Sequence, residues 1–139
     1  MQQNSSAIPE VELGFYLLGD LPESAELERL FGIQASVTYR AGEPRLHRHT
    51  GRQTGTHRGS VWGFTSRHIQ SNEITDHVKW LLSVAAPAHN LIGARPNASV
   101  CMELALIGNS SASLPRDLIQ FVYELNAELG FIARRSDAA

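Results

Sequence analysis

From Val11 onward, apolar and polar positions alternate. Val11, Leu13, Phe15 and Leu17 fall on one side, with Glu12 and Tyr16 opposite, which is the period of a half-buried strand. The spacing then turns helical from Asp20 to Phe31, where Leu27, Leu30 and Phe31 make an apolar stripe. Pro22 suits the first turn of that helix and Ser24 suits a cap. Glu23, Glu26 and Glu28 crowd its N-terminal half, where the helix dipole favours anions. Gly32 predicts a left-handed end. Ile33 to Arg40 reads as a second strand, with β-branched Val37 and Thr38.

The stretch from Ala41 to Gly59 has no apolar period. Gly42, Gly51, Gly55 and Gly59 punctuate it, and it reads as a long loop or a splayed hairpin tip. Alternation resumes from Ser60 to His68, with Trp62, Phe64 and Ser66 on one side and Val61, Gly63 and Thr65 on the other. Ser71 or Asn72 caps the next helix, whose apolar positions are Ile74, Val78, Leu81 and Ala85. Pro87 interrupts it, and Ala88 to Ile92 fits one further turn. Ser99 to Ile107 is a strand with Val100, Met102, Leu104 and Leu106 inward. A polar loop, Asn109 to Ser113, follows. A last helix starts at Ser113 or Leu114, has Pro115 near its first position, and sends Leu118, Val122, Leu125 and Leu129 to the core. Gly130 closes it, and Phe131 to Arg134 makes a short final strand.

The order β-α-β-β-α-β-α-β predicts an α+β fold. It is a ferredoxin-like β-α-β-β-α-β core with an added helix and strand, the sheet covered by helices on one face. Residues 11–135 form one domain, with flexible tails at 1–10 and 136–139. A chain of 139 residues with 42% hydrophobic composition is long enough for one core without covalent staples. The sole cysteine, Cys101, excludes an internal disulfide and suits a reducing cytoplasm. No basic segment precedes an apolar run near Met1, and no stretch has the roughly 20 apolar residues of a membrane helix. The expectation is a cytoplasmic protein without a membrane partner.

Charge changes the picture in one place. The net charge is −2, yet Arg40, Arg45, Arg48, Arg52 and Arg58 lie close together with His47, His49 and His57, opposed by Glu43. Arginine pairs bidentately with carboxylates and phosphates, so this segment is either an anion-binding surface or a solvated loop. Tyr39 and Arg40 end the preceding strand and would form its rim. The binding residues expected are therefore Tyr39, Arg40, Arg45, Arg48, Arg52 and Arg58. His47 and His49 share a side on an extended chain, and His57 would have to fold back to join them. Without a nearby Asp, Cys or helical metal motif, they read as surface histidines, and no metal or cofactor is expected.

Catalytic motifs are missing. There is no G-x-S-x-G elbow, no phosphate-cradling G-x-x-x-x-G-K-[ST] and no G-x-G-x-x-G. Cys101 sits in what reads as an interior strand, and Trp62 and Trp80 read as packing residues. Glu73/Asp76 and Asp117/Glu124 lie at helix starts or on exposed faces, where dipole and solubility account for them.

Certain runs carry more than periodicity. Ser36-Val37-Thr38-Tyr39-Arg40-Ala41-Gly42-Glu43-Pro44 follows a helix ending in Leu-Phe-Gly-Ile. Gly59-Ser60-Val61-Trp62-Gly63-Phe64-Thr65-Ser66, then His77-Val78-Lys79-Trp80-Leu81-Leu82 with Pro87, then Glu128-Leu129-Gly130-Phe131-Ile132 complete the layout. Over roughly Val11 to Arg134 this resembles the bacterial domain-of-unknown-function family 4279. The Arg45 to Arg58 stretch is longer than that family's usual connection, and the final strand lacks the acidic residues the family would place after Phe131. The resemblance implies a fold and a bacterial origin, and it brings no activity. The favoured expectation is a non-enzymatic protein-binding module, such as an immunity or inhibitor protein that engages an anionic toxin or effector through the Arg-rich segment. A metal-dependent or histidine-using enzyme and a weak nucleic-acid binder are the alternatives. The oligomeric state is left open.

Overall fold

A computed structural model describes residues 11–47, 50–107 and 113–134. The mixed α+β fold expected from the pattern is present. Among the described residues the order is β1 (Val11–Gly19), α1 (Ser24–Phe31), β2 (Val37–Tyr39), β3 (Pro44–Leu46), β4 (Gln53–Thr56), β5 (Ser60–Thr65), α2 (Ile74–Ala85), α3 (Ala88–Ala94), β6 (Ala98–Ile107), α4 (Arg116–Glu124) and β7 (Glu128–Arg134). Five strands form the main sheet in the order β2-β5-β1-β6-β7, and β3 and β4 pair separately. β1 runs antiparallel to both β5 and β6, while β7 lies parallel to β6. The sheet thus differs from a simple four-stranded ferredoxin arrangement: it has a fifth, parallel edge strand β7, and the β3–β4 hairpin interrupts the chain between β2 and β5.

The period-two pattern decides which face is buried. Val11, Leu13, Phe15 and Leu17 of β1, Trp62 and Phe64 of β5, and Val100, Met102 and Leu104 of β6 enter one core. Leu27 and Phe31 of α1, Val78, Leu81 and Ala85 of α2, and Leu118 and Phe121 of α4 meet them there. Phe15 stacks on Phe64 with centroids 5.3 Å apart, and Phe31 leans on Trp62 at 5.2 Å. The buried helical residues therefore all pack on one face of the sheet. The other face presents Glu12, Gly14, Tyr16 and Leu18 of β1 beside Gly63, Thr65, Cys101 and Glu103.

Several expected boundaries move. Ser24 is the first residue of α1 rather than its cap; Glu23 holds that position with φ −59° and ψ 150°, and its carbonyl accepts from the amides of Glu26 and Leu27. Gly32 ends α1 as expected, at φ 70°, donating to the Glu28 carbonyl. The second strand shrinks from the expected Ile33–Arg40 to Val37–Tyr39, because β5 offers pairing only there. The cap of α2 is Glu73 rather than Ser71 or Asn72; Ser71 acts two residues before it, its hydroxyl accepting from the Glu73 amide at 3.1 Å and donating to Asp76 Oδ2 at 2.6 Å.

The largest difference is at the end of α4. The helix stops at Glu124, and Asn126 makes the left-handed turn with φ 52°, a conformation Asn tolerates through its short polar side chain. Gly130 lies inside β7 opposite Glu103, and Leu129 opposite Met102. Leu129 thus continues the 118-122-125 spacing by coincidence and reaches the core from a strand. The expected tails and most of the Asn109–Ser113 loop lie outside the described residues.

Candidate functional site

The Arg-rich segment folds as a hairpin. Pro44 pairs with Thr56, Arg45 with Gly55 and Leu46 with Gln53, with a bulge between Arg45 and Leu46. Gly55 has φ 138° at that bulge, where a Cβ would be strained. Every residue of β3 and β4 is exposed, so no burial holds the hairpin to the sheet. Polar anchors at its base do this instead. The Gly42 amide donates to the His57 carbonyl at 2.8 Å, and the His57 amide donates to the Glu43 carbonyl at 2.9 Å. The Ala41 amide donates to Ser60 Oγ at 3.2 Å. The Tyr39 ring stacks on His57 with centroids 4.2 Å apart.

The expected binding residues divide into distinct roles. Arg40 is tied down: its guanidinium donates to the Pro22 carbonyl at 3.0 Å and to Glu23 Oε1 at 3.1 Å. Its amide also donates to Glu43 Oε1 at 2.6 Å, so the carboxylate expected to oppose the arginines is engaged at the hairpin base. Arg40 positions the hairpin against the start of α1. Arg45, Arg52 and Arg58 are exposed and make no ion pair among the described residues. Arg45, His57 and Arg58 wall a hollow of about 470 Å³, with Leu18 and Val61 of the sheet face away from the helices also lining it. Gly19 lies at its edge with φ 103°, and a Cβ there would run into the Asn97 carbonyl. Arg48 and His49 lie outside the described residues.

Burial decides what the other chemically able groups of the described residues do. Ser66 and His77 form a fully buried pair with Oγ and Nδ1 2.5 Å apart, which the pattern of residues did not foresee. The Ser71 carbonyl can only accept, so His77 Nε2, 2.7 Å away, carries the ring proton. Nδ1 then accepts from the Ser66 hydroxyl, whose oxygen accepts from the Leu13 amide at 2.9 Å. Each member is satisfied and sealed from solvent, so the pair clamps β1 to α2 rather than attacking a substrate. The available signals were a serine on the Trp62–Phe64 side and a histidine beside Val78. Cys101 is half-buried on the face away from the helices. Burial pushes its thiol pKa up, and Glu103 and Glu128 add to the effect, which disfavours the nucleophilic thiolate. Trp62 and Trp80 pack as expected: Trp62 is buried, and Trp80 sets its edge against Phe64 at 5.7 Å. The Trp62 indole N–H has no hydrogen-bond partner. Among the described residues no three His, Cys, Asp or Glu side chains are grouped to hold a metal. No described helix is long and apolar enough to cross a membrane.

Fold and site together define a small α+β domain with one cationic hairpin set beside the sheet face that the described helices do not cover. The family model of the domain of unknown function DUF4279 matches residues 9–134, and the chain belongs to that family. No curated protein and no solved structure matches it.

Proposed function

We propose that this chain is a non-enzymatic binding module that engages an anionic protein surface through Arg45, Arg52 and Arg58. One observation carries this reading: three guanidinium groups share an exposed hairpin without a carboxylate partner among the described residues. A fold that needed them for its own stability would pair them, as it pairs Arg40 with Glu23. Arginine beside an aromatic ring is also the composition of energetic interface centres, and Tyr39 and His57 supply the ring stack here. Arg48 belongs to the same proposed surface by sequence. An immunity or inhibitor protein of a bacterial cytoplasm, acting on an acidic toxin or effector, is the biological form this reading takes. We further read β1, β2, β5 and β6 with α1 and α2 as a ferredoxin-like unit to which α3, α4 and β7 are added.

The test is affinity capture from the native host with the wild-type chain and with an Arg45→Gln/Arg52→Gln/Arg58→Gln variant. A specific acidic partner should be retained by the first and lost by the second, while the two give the same circular dichroism spectrum and melting temperature. Equal capture by the folded variant would refute the reading.

A further inference from the structure

The two edges of the main sheet are not alike. At one edge β2 contributes three residues before the chain turns into the hairpin. At the other, β7 offers seven residues, Glu128–Arg134, and pairs with β6 alone among the described residues. A long edge presents backbone N–H and C=O groups that can take up a further strand. The middle of β7 is also apolar, with Phe131 63% and Ile132 38% exposed. Phe131 stands opposite the core residue Leu104, so it lies on the helix side of the sheet. On that side α4, which leads into β7, leaves Ile119 and Tyr123 exposed four residues apart. Of the seven large hydrophobic side chains exposed among the described residues, four thus fall on α4 and β7. Such a concentration marks a contact surface, where single exposed residues would not.

The sequence of β7 says which strand fits there. Residues directly opposite each other in an antiparallel pair share a face of the sheet. Two copies of β7 related by a two-fold axis must therefore have that axis pass through a residue, not between two. With the axis at Phe131 every residue of the strand is paired. Phe131 meets its own copy, Gly130 meets Ile132, Leu129 meets Ala133, and Glu128 meets Arg134. With the axis at Gly130 or Ile132 the strands overlap less, and Glu128 stands opposite Ile132 or Arg134 opposite Gly130. Opposite charges close the two ends of this strand, with none between them. The fully paired register is thus the one that matches charge, and symmetry makes the match twice. Glu128 is exposed and makes no ion pair among the described residues.

We propose that this chain forms a two-fold dimer through antiparallel pairing of β7 with β7 about Phe131, which joins two five-stranded sheets into one continuous sheet. Sedimentation equilibrium over a concentration series tests it. The wild-type chain should dimerise with a dissociation constant of about 100 μM or tighter. Glu128→Arg and Arg134→Glu should each weaken the dimer about tenfold or more, because the axis doubles every like-charge contact. The double variant Glu128→Arg/Arg134→Glu should restore it. Phe131→Lys, at an exposed position, should abolish it, and carries the test if a charge variant unfolds. Opposed residues have Cα atoms about 4.5–5.5 Å apart, within disulfide reach. Phe131→Cys in a Cys101→Ser background should therefore cross-link two copies on oxidation, while Leu46→Cys in the same background should not. The Arg45→Gln/Arg52→Gln/Arg58→Gln variant should dimerise unchanged, so failure here is separable from failure of the hairpin reading. A wild-type chain that stays monomeric up to about 1 mM overturns the proposal. So does a folded Glu128→Arg or Phe131→Lys chain that dimerises as wild type does, a folded double variant that stays monomeric, equal cross-linking through Leu46→Cys, or loss of the dimer in the hairpin variant.

Discussion

The main sheet and the β3–β4 hairpin are both antiparallel ladders, yet different forces hold them. The sheet buries one entire face, with Leu13, Phe15 and Leu17 fully inside, and its register is pinned because a one-residue slip would turn those side chains to water. The hairpin buries nothing of its own strands, and an isolated two-stranded ribbon is marginal in water. It stays in place through base hydrogen bonds, a ring stack and the Arg40 tether. Stability is thus concentrated in one ladder, and the arginines that make no ion pair among the described residues in the other. The charge can vary without endangering the fold.

The sharpest way to break this contrast is truncation within each ladder. Phe15→Ala should cost about 3–5 kcal/mol, because it empties the centre of the aromatic cluster. Leu46→Ala, on exposed β3, should stay within about 0.5 kcal/mol. Urea denaturation of both variants measures the difference, and a comparable loss from Leu46→Ala would mean the hairpin is part of the core. Next in size is the buried polar clamp. Ser66→Ala strands the Leu13 amide and His77 Nδ1 together and should cost about 1–3 kcal/mol. A double-mutant cycle with His77→Ala should show strong coupling; additive losses would remove the proton arrangement assigned above.

Smaller still is the tether. The Arg40–Glu23 pair is largely exposed, so Arg40→Ala should change global stability by about 1 kcal/mol or less. Amide exchange at Gly42 and His57 should nevertheless quicken while that of β1 stays put. Uniform quickening would show that hairpin and sheet open as one unit. The smallest effect concerns α4. Hydrogen bonds from Gln120 and then His89 hold the Glu124 carboxyl below its ordinary pKa. A depressed folded pKa gives stability that is present above the unfolded value and lost as pH falls through the folded one. The group is exposed, so the effect belongs to a carbon-detected titration of Glu124 rather than a melting curve. His89→Ala should move its midpoint upward, and an unmoved midpoint would leave His89 without a role there.

What the chain discloses before folding follows the same division. β1, β5 and β6 are legible because one-sided burial writes an alternation into them. β3 and β4 are not, since exposed strands carry no such mark and only the glycines hinted at a hairpin. Leu129 misled for a related reason: an apolar residue at helical spacing says it is buried, not from which element. For the site, Arg45, Arg52 and Arg58 could be read from local composition. That Arg40 is tied to the Pro22 carbonyl could not, because the contact depends on how α1 and β2 are brought together. That the Tyr16 ring lies over both Gly14 and Gly63 was equally hidden, since those glycines belong to different strands, β1 and β5.

The parallel pairing of β7 with β6 has a practical consequence. Val11 stands opposite Leu106 and Arg134 opposite Ile107, so the backbone enters and leaves the sheet at the same end, about 10 Å apart across β6. The hairpin projects beyond Gly19 at the far end. A surface anchor or fluorescent fusion attached at either junction would point away from the arginines, and joining the two junctions with a short linker would leave Arg45, Arg52 and Arg58 pointing outward from a permuted chain.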